Sequence, residues 1–145
     1  MDWRIKASLQ KVLSVSKLGD KLNHLAVTFD KKYHYNVFLY QTHECLRKFS
    51  YCTVDMHKKA VALEIGTGYS ILSSVVLSLL GFEKVVTVDV TNDLSFSTFK
   101  KQIKYIDSPD FIRALVAKSL YSEEELQSKF SVIKKITSFK ALFDY

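Results

Sequence analysis

Residues 60–90, AVALEIGTGYSILSSVVLSLLGFEKVVTVDV, leave few folds open. Residues 61–65 form a short apolar run broken only by Glu64, and the run leads straight into Gly66. Residues 70–80 are apolar nearly all round, as suits a helix covered from several directions, and Gly81 is placed to end it. Residues 84–88 form a second apolar run, rich in valine. Strand, helix and strand make a βαβ unit, whose two strands lie parallel. Strands this uniformly apolar predict a sheet covered on both faces, and so an α/β fold.

The flanking segments read as helices. Ile5, Leu9, Val12 and Leu13 fall on one helical stripe, with Arg4, Lys6 and Lys11 off it and Gly19 as a stop. That stripe is expected to pack on its own domain or on a partner rather than on a membrane surface. Residues 20–59 are aromatic-rich and predict a helix over 36–49. Beyond Asp89, Phe96, Phe99, Ile103 and Ile106 repeat at helical spacing. Ser108 then reads as an N-cap with Pro109 at the first helical position, and residues 122–125, SEEE, as a capping box opening another helix. The final residues, KITSFKALFDY, are read as a third strand because Ile136, Phe139 and Phe143 favour β structure.

The residues between the two apolar runs carry the chemistry. Gly66 gives a tight turn its backbone freedom, and Gly68 lets a ligand approach the main chain without a Cβ in the way. Backbone N–H groups at the start of the helix point toward such a ligand. Asp89, 23 positions beyond Gly66, ends the second strand on the same edge of the sheet, where a carboxylate accepts hydrogen bonds from ribose hydroxyls. The arrangement points to an adenosine group. NAD is disfavoured on two counts: Ile71 stands where a third glycine would let helix and strand close on a pyrophosphate, and Glu64 would repel its charge. S-adenosylmethionine has no phosphate, and its sulfonium and amino groups suit a nearby acid. No Lys-Ser or Lys-Thr follows the turn, which excludes a P-loop.

LEIGTGYS at residues 63–70, followed by VVTVDV at 85–90, resembles motifs I and II of the class I, Rossmann-like S-adenosylmethionine-dependent methyltransferases. The wider context is similar to a bacterial subgroup of these enzymes. By this resemblance Gly66, Thr67 and Gly68 line the methionine part of the cofactor, Glu64 supports that loop and Asp89 binds the ribose. Tyr69 packs near the cofactor or simply covers the turn. The resemblance implies a partial Rossmann-like parallel sheet of two or three strands, with a helical N-terminal region at 1–59, a cofactor-binding domain at 60–145 and a helical insertion after the second strand. Family members place the acceptor site after a fourth strand, for which no motif is found. The chain is therefore expected to be the front part of such an enzyme, truncated or completed by another chain, with an exposed sheet edge open to self-association. The competing expectation is a non-catalytic remnant of the fold that serves as a binding or interaction module.

Composition removes other classes. The charge of +6 arises from dispersed pairs such as Lys31-Lys32, Lys58-Lys59, Lys100-Lys101 and Lys134-Lys135, not from one basic face, so no nucleic-acid partner is expected. Cys45 and Cys52 form no disulfide framework and suit a reducing cytoplasm. His24, His34, His43 and His57 lack metal-ligand spacing, and no transmembrane segment or signal peptide is apparent. The methyl acceptor is not legible.

Overall fold

A computed structural model describes residues 31–52, 59–90 and 93–145, together with Arg4, Ser8 and Asp55. Of the segment expected to form the N-terminal helix, only Arg4 and Ser8 fall among them, and both are helical; the apolar stripe itself lies outside the described residues. The chain divides into two compact units, residues 1–33 and 34–145, and the sheet with its helices belongs to the second. The protein is mixed α/β: six α-helices and a two-stranded parallel sheet among the described residues.

Helix α1 spans Lys31–Phe49, starting five residues before the expected position. It is followed by β1 (Val61–Ile65), α2 (Leu72–Leu80) and β2 (Lys84–Val88). β1 and β2 pair parallel, with Val61 opposite Lys84 and Ile65 opposite Val88, so the βαβ unit forms as expected. Then come α3 (Phe96–Gln102), a 3₁₀ turn (Ile103–Tyr105), α4 (Pro109–Val116), α5 (Glu123–Lys135) and α6 (Phe139–Phe143).

Both predicted helix starts are present. Ser108 precedes α4 in extended conformation with Pro109 in the first turn. At α5, Glu125 N–H donates to Ser122 Oγ while Ser122 N–H donates to Glu125 Oε2 at 2.7 Å, which satisfies two N-terminal amides at once. The other end of α5 is closed by a distant side chain. Lys100 Nζ donates to the carbonyls of Lys134 and Ile136, placing a positive charge where the helix dipole is negative.

The core is helical. Phe38 and Leu46 of α1 share one buried cluster with Leu72, Val76 and Leu79 of α2, and Phe99, Leu115, Leu126 and Phe130 belong to it too. α2 buries six of its nine residues, which agrees with its near-uniform apolar composition.

Two expectations are corrected. The third strand is absent: the residues assigned to it form α6, N-capped by Ser138, whose Oγ accepts from Ala141 N–H. Ile136, Phe139 and Phe143 are spaced by three and four, which is the helical period, and Phe139 uses that geometry to pack edge-on against Phe96 at 5.2 Å. Among the described residues the sheet is also not covered on both faces. Ala62 faces the packed side, whereas Val61, Leu63 and Ile65 are 60%, 61% and 77% exposed, continued by Val86 and Val88 on β2. Among the described residues, helices cover the sheet on one side only.

Candidate functional site

The bend between β1 and α2 gathers most of the residues singled out above. Gly66 N–H continues the ladder by donating to Val88 C=O at 2.8 Å. Gly68 lies at φ +60, a left-handed conformation that costs an L side chain about 1 kcal/mol or more. A Cβ there would meet nothing within 4 Å, so the requirement for glycine is conformational and the space over the bend is open.

Asp89 reaches this bend from the end of β2. Its Oδ2 accepts the Gly68 N–H at 2.5 Å, so the carboxylate and the glycine turn are one constellation. The bond also changes what Gly68 offers. Its amide is turned to Asp89 and is engaged by that carboxylate.

Glu64 points to the packed face and accepts a hydrogen bond from Ser74 Oγ on α2. It thereby ties the end of β1 to the helix instead of bonding the loop amides. Ser70 O–H donates to Gln102 Oε1 at 2.5 Å and accepts from Leu72 N–H, and both side chains are buried. That pair fixes the entry of α2 against α3. Thr67 is buried, and its Oγ1 has no hydrogen-bond partner in the protein. Such a group costs about 1–3 kcal/mol until a bound polar group or water relieves it. Tyr69 is 48% exposed at the tip of the bend.

A cavity of about 410 Å³ adjoins the bend. Leu63, Glu64, Ile65, Gly66 and Thr67 form one wall, and α1 supplies the other through Tyr40, Gln41, Glu44, Cys45 and Lys48. Its size lies within the range that takes cofactor-sized ligands. The α1 wall was missed in the sequence: those residues stand about twenty positions before the glycines and match no motif. Helical periodicity over 36–49 was the only available signal, and it says nothing about what the helix faces.

The groups in this wall differ in chemistry. The Glu44 carboxyl is held below its usual range, first by its hydrogen bond to Arg47, whose guanidinium lies 2.8 Å away. Burial pushes the Cys45 thiol up to about 12, and the Glu64 carboxylate adds to the effect. Cys45 is therefore a packed thiol that donates to Ser73 C=O, not a nucleophile at neutral pH. At pH 8, iodoacetamide is expected to modify the exposed Cys52 at least about a hundredfold faster than Cys45 in the folded protein, the gap closing in denaturant. Equal rates under native conditions, read by peptide mass spectrometry, would show that α1 does not pack on α2 as described.

Among the described residues no three His, Cys, Asp or Glu side chains gather to hold a metal ion, and no helix is long and apolar enough to cross a membrane. Comparison of the chain with protein families, with curated proteins and with solved structures finds no match.

Proposed function

We propose that the bend at residues 64–69, together with Asp89, binds S-adenosylmethionine, and that the fold is the cofactor-binding part of a Rossmann-like methyltransferase. The observation that carries this reading is the 2.5 Å bond between Asp89 and Gly68, which joins a strand-terminal acid to a glycine bend across two parallel strands. A carboxylate accepts at about four sites, so holding one amide is compatible with accepting a ribose diol. The unpartnered Thr67 hydroxyl and the adjoining cavity fit a polar ligand that enters beside the bend.

Electrostatics favour this cofactor over a dinucleotide. Glu64 and Glu44 border the cavity, with Lys48 on the same wall. Glu44 is paired with Arg47, so Glu64 carries the preference: its carboxylate attracts a sulfonium and repels a pyrophosphate. When bound, the cofactor supplies an electrophilic methyl group on a good leaving group. Asp89 would fix the sugar, Glu64 would steady the positive end, and α1 would keep water from one side. Transfer of this kind gains much of its rate from alignment, so a rigid bend is a useful part of the machinery.

Calorimetry tests the reading. S-adenosylmethionine is expected to bind saturably, with Asp89→Ala weakening it at least about tenfold, the loss of one charge-assisted contact, while the circular dichroism spectrum is kept. No heat at millimolar ligand, or tighter binding of NAD, would overturn it. In the first case the Asp89 bond only braces an empty bend, and a non-catalytic interaction module becomes the better description.

A further inference from the structure

The sheet has an unfinished side. β2 pairs with β1 along one edge, and among the described residues no strand pairs with the other. Because Val88 C=O accepts from Gly66 on β1, Val88 turns its backbone groups toward β1. Backbone direction alternates along a strand, so Lys84 and Val86 do the same, and the N–H and C=O groups of Val85 and Thr87 point out from the free edge. Four unpaired main-chain groups in a regular row are a template for another strand. Beside that row, on the helix-covered face, lies a cavity of about 380 Å³ bordered by Ser74, Val85, Thr87, Leu142 and Phe143.

We propose that β2 is a dimer interface: two copies of the chain pair their β2 strands antiparallel about a two-fold axis at Val86, building a sheet in the order β1-β2-β2-β1. The register follows from the strand itself. Val85 of one copy faces Thr87 of the other, so all four outward groups of each strand find partners in the exchange. Val86 meets Val86 of the second copy, and Lys84 meets Val88, so no like charges oppose one another. Any other centre leaves part of the five-residue strand unpaired. The cavity gives the second copy's Val85 and Thr87 side chains room beside their counterparts. The pairing is isologous and closes at two copies, whereas β2 pairing with β1 of the next copy would propagate an open array. On the uncovered face Val86 and Val88 join across the axis into one apolar strip, which adds burial to the hydrogen bonds.

The test does not depend on the cofactor reading. Light scattering of the full chain from micromolar to near-millimolar concentration is expected to show a dimer. In a Cys52→Ser background, Val86→Cys should cross-link to itself under mild oxidation. The facing Val86 residues form a non-hydrogen-bonded pair with Cα atoms about 4.5 Å apart, which a disulfide spans. Val88→Cys should not, because its two copies would lie about 13 Å apart along the strands. Val86→Asp sets two carboxylates face to face and should give a monomer with an unchanged circular dichroism spectrum. A monomer throughout the wild-type concentration range overturns the proposal. So does a dimer in which Val88→Cys links and Val86→Cys does not.

Discussion

Phe38→Ala is expected to lower the stability of the fold by about 3–5 kcal/mol, a large share of what a domain of this size possesses. Phe38 is fully buried. Its ring meets Phe111 edge-on at 5.4 Å and Tyr105 at 5.8 Å, so one side chain connects α1 to the 3₁₀ turn and to α4. Removing it loses the transfer energy of a phenyl ring and opens a void among side chains held by other elements, which can collapse only in part. The consequence reaches the cavity at the bend, because α1 is its outer wall. Urea denaturation followed by circular dichroism measures the effect, and Phe38→Leu should cost no more than about half as much. A midpoint within error of wild type for Phe38→Ala would mean that α1 contributes little to this core.

Gly81→Ala is expected to cost about 2–4 kcal/mol for two separable reasons. Gly81 ends α2 at φ +113, outside the range that L residues tolerate, while its N–H closes the helix onto Leu77 and Ser78 carbonyls. A Cβ would also approach Leu120 Cγ to 2.9 Å and Leu120 Cβ to 3.1 Å. Leu120 cannot easily yield, since its N–H donates to Leu80 C=O and the neighbouring Ser119 O–H donates to Leu79 C=O. The double variant Gly81→Ala, Leu120→Ala removes the Cγ and Cδ1 overlaps and leaves the backbone strain with the 3.1 Å Cβ contact, so a mutant cycle reads how much of the cost is side-chain overlap. If alanine at 81 were neutral alone, the left-handed end of α2 would be wrong.

The sequence carried this part of the fold because its punctuation is backbone chemistry. A glycine at a forced positive φ, an apolar helix of fixed length and two valine-rich runs leave one arrangement. The meeting of Asp89 with the glycine bend was legible for the same reason: parallel strands end on the same edge, so spacing alone places the acid. α6 was misread because residue type was allowed to outweigh spacing. Phenylalanine and isoleucine favour strands, yet their separation by three and four residues favours a helix, and here the period prevailed. The uncovered sheet face was misread through a similar shortcut. Apolar residues on both sides of a strand show that both sides prefer burial, but they do not say what provides it. The α1 wall was invisible because a cavity is a tertiary object, built from residues that share no motif with the turn they face.

The ladder between β1 and β2 joins residues only 23 positions apart, and half of the connecting segment is α2. Closing so short a loop costs little chain entropy, and a helix that forms within microseconds shortens it further. The parallel pairing, ordinarily a slow event, is therefore available early as a folding nucleus, before α3 to α6 have condensed around it.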